Sequence, residues 1–575
     1  MQLKKLNEVA PILDFNEVAS ALFRENNLNI TSEEDFEKLF PDQLLEDVDL
    51  NACLEGMYPL KKADEFVQFI NTAKNDSNKI CILSDYDADG ICSALIMLAA
   101  LNRIGIETSL YIPDRLEGGY GAFNKDIIER KIKDGFTYFV TLDCGISMKE
   151  TADLIKQLGG HLAVTDHHLP GDSVPEGCLI VDPKYNGDES ADICGAMVAF
   201  KLVMALCNSC EAYYTRITEG ELLNDLAFLA GIATVTDMMV MLGENRLFVK
   251  HVFNEVNLAK EIALNGGYKT FIYYFVSSLG GYNFLQDPDK LATEELISFY
   301  IGPTLNAISR VGEDVVALTE DIYGALMNTS THYIHSKVST NYVRRARTKE
   351  LVDACYDTAI EKDLIQNDDL TLINFDPSSF KFPITGLLGI VANKLTNSDH
   401  KVTFIGTKVN DDMLSFSARS EATFNLHEAM ERISTEHPEF GIEGGGHANA
   451  MGIRFKKEYL GDFFKALSED IVHNKVTVDP SIYSFEPDEL DDVVNTLMAF
   501  APYGQGFQSL KVLYRGRFLG RTTLPFMYNI GDIVARGYLT PDEENHYLSQ
   551  DESDFVLTVN PSSKLGAFFN MVKGV

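Results

Sequence analysis

Three carboxylates on alternate residues, Asp85, Asp87 and Asp89, close the segment Ser84-Asp-Tyr-Asp-Ala-Asp-Gly90. Hard oxygen ligands packed this closely repel one another unless a divalent cation shares them. The spacing imitates the start of an EF-hand loop, but loop position 12 is Ile96 where a bidentate Glu is needed, and a strand precedes it. Further acids follow: Asp143 in Thr141-Leu-Asp-Cys-Gly145, Asp166 with His167 and His168, Asp182 in Ile180-Val-Asp-Pro-Lys184, and Asp237 at the end of an apolar helical run. Any one of them alone reads as a helix cap. Several at once, with an adjacent His pair, read as a metal site. Asp and His without Cys favour manganese or a similar ion over magnesium alone. The number of carboxylates suits two ions, and a pair about 3.5–4 Å apart suits phosphoryl transfer, so the substrate class is a phosphate ester or anhydride.

The elements that must position these residues follow from hydrophobic periodicity. Short apolar runs at 79–83, 108–112, 136–142, 161–165 and 178–181 read as strands, with helices at 91–104 and 147–158 between them. This β/α alternation predicts a parallel sheet, and acids at the carboxyl ends of its strands converge on one crevice. Helical stretches at 195–207 and 222–239 follow. Alternation resumes at 370–375, 389–395, 402–406 and 413–418, predicting a smaller α/β domain that ends near 475. Beyond Asp479-Pro480, strand-like runs at 510–514 and 555–559 predict a β-rich module. The fold class is therefore α/β and multidomain.

The smaller domain holds Glu443-Gly-Gly-Gly-His447, where Gly445 and Gly446 would let backbone N–H groups approach an anion and His447 could donate to a phosphate oxygen. Ser417-Ala-Arg419-Ser420 offers a guanidinium fork. Lys337, Arg344, Arg345, Arg347 and Lys349 form a basic island with no acid among them, suited either to track a nucleic-acid backbone or to face solvent between domains.

The 575 residues carry 49 Lys and Arg against 85 Asp and Glu, a net charge of −36, which argues against broad binding to polyanions unless the positive field is local. Two acidic runs, 33–49 and 542–554, read as solvated faces. Nine scattered cysteines do not form a disulfide framework, and Cys207-Asn-Ser-Cys210 lacks a second ligand pair for zinc. Without an apolar block at the start or an 18-residue apolar run, a soluble intracellular chain is expected, with no membrane partner.

The motifs together resemble the DHH phosphoesterase superfamily, most closely the RecJ-type single-strand-specific 5′→3′ exonucleases. The matching strings run in order: Asp85-Tyr-Asp-Ala-Asp-Gly90, Ile112-Pro-Asp-Arg115 with Gly119-Tyr-Gly121, Thr141-Leu-Asp143, Asp166-His-His168, Val181-Asp-Pro183, Gly195-Ala-Met-Val-Ala-Phe-Lys201, Gly243-Glu-Asn-Arg246, Gly302-Pro-Thr-Leu-Asn306, Ser417-Ala-Arg-Ser420, Gly445-Gly-His447 and Ala501-Pro-Tyr-Gly-Gln-Gly506. The resemblance implies Asp87, Asp89, Asp143, His167 and Asp237 as metal ligands, Asp143 bridging, with Asp85, Asp166 and His168 as supporting residues or ligands. It implies His447 at the scissile phosphate, and Arg115, Arg310, Ser417 and Arg419 at the strand's 5′ end. It further implies an accessory segment 1–75, a catalytic domain 76–335, a connecting helix 336–366, a DHHA1-like domain 367–475 and an OB-like module 476–575.

Two departures stand out: Thr304 replaces an Arg usual in the family, and Pro383-Ile384 replaces a Trp-His pair. The function implied is exonucleolytic release of 5′-mononucleotides from single-stranded DNA in cytoplasmic recombination and repair, by a monomer using two Mn2+ or Mg2+ ions. A single-strand-binding protein or helicase would be the protein partner. The alternatives are a phosphodiesterase acting on short oligoribonucleotides or cyclic dinucleotides, and a non-catalytic nucleic-acid-binding scaffold. The retained acids and His pair speak against the scaffold.

Overall fold

The computed structural model describes residues 17–45, 48–116, 123–171, 173–267, 269–327, 337–358, 364–421, 424–475, 482–484, 490–522, 527–531, 533–537, 539, 541–563 and 566–571. Its first sheet contains β1 (Lys79–Ser84), β2 (Glu107–Tyr111), β3 (Tyr138–Leu142), β4 (His161–Thr165) and β5 (Leu179–Val181), in the order β2-β1-β3-β4-β5 with every pair parallel. Successive side chains of a strand point to opposite faces, and here both faces are covered. Ile80 and Ile82 join the core beneath helices Ala88–Arg103 and Gly195–Ser209. Cys81 and Leu83 join a second core with Ile128 and Ile155. The strand order reverses between β1 and β3, which opens a ligand crevice at their carboxyl ends.

The smaller sheet has β6 (Leu364–Gln366), β7 (Leu370–Phe375), β8 (Val402–Lys408), β9 (Met413–Arg419), β10 (Glu443–His447) and β11 (Ala450–Lys456), ordered β10-β11-β9-β8-β7-β6. Helix Lys337–Thr358 connects the two lobes. Its first half lies along helix Gly302–Val311, while Leu351 and Cys355 enter the smaller lobe's core with Ile373, Phe375 and Ile384.

The third sheet contains β12 (Ile482–Ser484), β13 (Lys511–Gly516), β14 (Phe518–Arg521), β15 (Met527–Ile530), β16 (Ile533–Arg536), β17 (Ser553–Ser563) and β18 (Gly566–Met571), ordered β12-β13-β17-β18-β16-β15-β14. It does not stand apart from the large lobe. Phe500, Phe507, Val512 and Leu557 share one continuous core with Phe23, Phe40 and the helices around the first sheet. The ring centroids of Phe40 and Phe500 lie 5.4 Å apart.

A buried guanidinium fastens that junction. Arg246 donates through Nε and Nη2 to the two oxygens of Asp42 at 2.7 and 3.0 Å. It also donates to the carbonyls of Phe500, Ala501 and Pro502 at 3.0, 3.2 and 3.0 Å. The rings of Phe40 and Phe507 lie 5.1 and 5.4 Å from its Cζ. Within run 33–49, where Glu33, Glu34, Glu37 and Asp49 are exposed, Asp42 departs from the solvated-face reading: it is buried, because a cation 204 residues away in sequence claims it. Lys250 pairs with the same carboxylate.

Candidate metal centre and anion pocket

The segment after β1 folds as it does because Asp87 caps helix Ala88–Arg103, its Oδ1 accepting from the backbone N–H groups of Asp89 and Gly90 at 3.0 and 3.1 Å. Ala88 N donates to Asn306 Oδ1 at 2.9 Å, tying the loop to helix Gly302–Val311. Asp89 accepts from Gly195 N and Ala196 N, both at 2.7 Å, and so holds the N-terminus of helix Gly195–Ser209 against the site. Asp143, just past β3, sits at φ +58, a strained conformation for a non-glycine residue that occurs preferentially at functional sites.

These segments bring together ligand atoms in three overlapping groups: Asp85, Asp87 and Asp143; Asp89, His167 and Asp237; and Asp143, His167 and His168. Within each group the atoms lie within 4.8 Å of one another. His167 Nε2 is 3.2 Å from Asp143 Oδ1, 3.4 Å from Asp237 Oδ2 and 3.7 Å from Asp89 Oδ2.

The electrostatics suit a divalent cation. Burial, and then the charge of Asp87, pushes the Asp85 carboxyl well above the usual range. Burial followed by Asp89 and Asp87 does the same to Asp143 and Asp237. Asp89 is raised to about 6 by burial and Asp87, although two backbone N–H groups oppose the rise. Buried carboxylates that repel one another need a positive charge among them. Among the described residues no hydrogen-bond donor reaches the buried Asp85 Oδ1, and the donor set of oxygens and imidazole suits manganese or magnesium.

Asp166, expected as a supporting residue or a ligand, is bonded as a support. Its oxygens accept from the backbone N–H groups of Ile146, His167 and His168, and from the His168 ring at 2.7 Å, so it orients the His pair. Burial disfavours a charged His168, but Asp166 outweighs it and holds the imidazole up at about 9. Asp182 is a helix cap, its Oδ1 taking Lys184 N and Tyr185 N at 2.9 and 3.0 Å.

Gly195 shows how tightly the centre is built. A Cβ there would lie 2.6 Å from the Asp143 Cβ and 2.8 Å from its Oδ1. Gly195→Ala should therefore displace Asp143 and weaken Mn2+ binding about 10–100-fold, the range seen when the supports of a ligand are disturbed; calorimetric titration of the metal-free protein reads the change.

Beside the acids lies a cluster of cations. Arg115 stacks over the Tyr86 ring at 4.7 Å, which places it at the acidic loop. Arg310 donates from Nη1 to the Gly386 carbonyl at 3.1 Å, joining the two lobes. Burial pushes the Arg310 guanidinium well below its usual range, and Arg115, Arg419 and Arg344 push it further. Arg419 is lowered to about 10 by burial and Arg115. Ser417 and Arg419 lie on β9 beside Gly389, where a Cβ would be 2.8 Å from Arg419 Nη2 and 3.6 Å from Ser417 Oγ. Four partly buried guanidiniums that raise one another's cost of carrying charge could hold an anion between them.

On β10, Gly446 has φ +146, and a Cβ there would come within 2.5 Å of the Ala450 carbonyl, so packing against β11 requires glycine. At Gly445 a Cβ would meet open space, which leaves the backbone accessible. The His447 side chain and Gly119-Tyr-Gly121 lie outside the described residues. Arg345 is exposed and Arg344 half-buried on the connecting helix. Sequence reasoning gave no role to Asn306, although it closes a matching string, and missed Asn341; tertiary hydrogen bonds tie both to the site.

The comparisons agree with this geometry. Residues 79–233 match the DHH family, N-terminal domain, and residues 383–473 match the DHHA1 domain. The single-stranded-DNA-specific exonuclease RecJ of Bacillus subtilis is 30% identical over 430 residues, covering 73% of this chain and 49% of that protein. RecJ of Salmonella typhimurium is 25% identical over 491 residues, covering 82% of this chain and 81% of its own length. The chain thus spans about half the length of the first relative and about four fifths of the second. The crystal structure of RecJ in complex with Mn2+ from Thermus thermophilus superposes with a TM-score of 0.69 at 20% identity, covering 100% of this chain and 77% of that one, which establishes the common fold. With matched DHH and DHHA1 domains and acids gathered at the crevice of a parallel sheet, the chain is similar in sequence and fold to RecJ-type proteins of the DHH family.

Proposed function

We propose that this protein is a metal-dependent exonuclease that degrades single-stranded DNA from its 5′ end to 5′-mononucleotides. One observation carries the reading: the convergence of Asp85, Asp87, Asp89, Asp143, His167 and Asp237 on metal-sized groupings, beside a guanidinium cluster shared by both lobes. Two divalent ions held by Asp87, Asp89, Asp143, His167 and Asp237 would supply a hydrolytic water at neutral pH and charge compensation for the reacting phosphate. The chain's own residues do the rest. Asp166 fixes the His pair, Gly195 lets Asp143 sit close, and Arg115, Arg310, Arg419 and Ser417 bind a terminal phosphate. The open backbone at Gly445, with Gly446 and His447 beyond it, takes the scissile phosphate. Arg344 and Arg345 lie along the strand's path.

The net charge of −36 is compatible with this reading because four arginines, Arg115, Arg310, Arg344 and Arg419, set up a local positive field beside the acids. No described helix is long and apolar enough to cross a membrane. We place the activity in DNA recombination and repair, in the cytoplasm, by a monomer that meets a single-strand-binding protein or a helicase.

End-labelled substrates test the reading. With Mn2+ or Mg2+, single-stranded DNA should shorten from the 5′ end to mononucleotides, EDTA should stop the reaction, and added Mn2+ should restore it. Faster cleavage of RNA or of a cyclic dinucleotide than of single-stranded DNA, or shortening from the 3′ end, would overturn it.

A further inference from the structure

Position 304 lies at the start of helix Gly302–Val311, and Thr304 is buried there. Its Oγ1 donates to the Tyr300 carbonyl at 2.6 Å, so its lone pairs are turned to other neighbours. One of those neighbours is Asn341 of helix Lys337–Thr358, whose Nδ2 donates to Thr304 Oγ1 at 3.2 Å. This fixes which way the amide points: with its nitrogen on Thr304, the Asn341 oxygen faces Arg344 and accepts from Nε at 2.9 Å and from Nη2 at 2.7 Å. Six residues beyond Asn341, Arg347 Nη1 donates to the Val311 carbonyl at 3.4 Å. The two helices therefore run alongside each other, and Arg344 lies between these contacts, next to the segment that carries Asn306 and Arg310.

A neutral amide holds Arg344 without cancelling its charge. Among the described residues no carboxylate pairs with it, while Arg310 and Arg345 both repel it. Burial and Arg345 lower the Arg344 guanidinium to about 10. A cation oriented by a two-membered relay, set among other cations, with part of its donor fork still free, is arranged for an anion that arrives with the substrate.

We propose that Arg344 grips a backbone phosphate of the single strand beside the pocket of Arg115, Arg310 and Arg419, and that Asn341 and Thr304 are positioning residues that aim its guanidinium. The inference rests on the nuclease reading and deepens it. It gives Thr304 a role in place of the arginine usual in the family: the guanidinium reaches the crevice from the neighbouring helix.

Steady-state kinetics on single-stranded DNA at several salt concentrations test the relay. Arg344→Gln should raise KM about tenfold, the loss of one charge-assisted hydrogen-bonded contact, with kcat changed by less than about twofold. The dependence of log KM on log salt should become shallower by about 0.7, as one phosphate contact disappears. Asn341→Asp keeps an oxygen that accepts from Arg344 but loses the donor to Thr304 and adds a charge that offsets the cation, so it should raise KM and flatten the salt slope like Arg344→Gln. Thr304→Val should raise KM less, and Thr304→Ser should restore it. An Arg344→Gln protein with unchanged KM and salt slope, beside an active wild type, overturns the relay alone. So does a joint fall of kcat and melting temperature with the slope unchanged. A wild type that cleaves no single strand in Mn2+ overturns the nuclease reading and the relay with it.

Discussion

Asp143→Ala should abolish metal-dependent cleavage, with a loss on the order of 10³-fold or more, beyond the 10–100-fold typical of residues that only support a ligand. Asp143 is shared between two of the three ligand groupings, so its removal disrupts both sides of the centre at once. The fold should survive. Asp143 lies among carboxylates that raise one another's proton affinity, and deleting it relieves repulsion without opening an apolar core. The metal-free variant should therefore melt no lower than the metal-free wild type, while the rise in melting temperature on adding Mn2+ should shrink sharply. Cleavage at the wild-type rate by a correctly folded Asp143→Ala protein would refute the centre described above.

Arg246→Met should be among the most damaging substitutions in the chain for stability, costing about 3–5 kcal/mol, because it strands a buried carboxylate and the backbone carbonyls that Arg246 serves. Arg246→Lys should rescue little, since one ammonium cannot match the fork that meets Asp42 and three successive carbonyls. The same contact predicts a pH dependence. Burial alone would raise the Asp42 carboxyl, but the hydrogen bonds and charges of Arg246 and Lys250 outweigh it and lower the group to about 2. A carboxyl depressed in the folded state contributes its full stability above the unfolded pKa of about 3.9. That contribution is lost as pH falls from there through about 2. Denaturant midpoints at pH 6 and pH 3 should therefore drop further in the wild type than in Asp42→Asn, whose lower starting stability no longer depends on that proton.

The sheet that carries the metal centre was readable because its strands are buried on both faces and stand out as apolar runs. The span His161–Thr165 is the same in both readings, and the other strands differ at their ends. The acids at the strand ends were readable as a set because parallel topology collects carboxyl ends on one side. Local charge patterning failed where a distant partner decided the outcome. Asp42 lies in an acidic run and looks solvated until Arg246 arrives from the large lobe. Asp166 looks like a ligand by position, yet backbone N–H groups occupy its oxygens, an arrangement that residue types do not disclose. Asn341 and Thr304 are ordinary helix residues whose meaning comes from helices packed side by side. The third sheet was visible as β-rich, but its strand order was not, because short strands joined across long sequence gaps leave little local pattern.

The centre is stitched together from five separate stretches of chain: the loop after β1, the turns after β3 and β4, the start of helix Gly195–Ser209 and the end of helix Leu222–Thr236. No fragment shorter than this whole span can assemble it. While the polypeptide is still emerging from the ribosome, its acids and imidazoles lie on separate stretches that cannot yet share an ion, and the centre closes only when the end of helix Leu222–Thr236 docks.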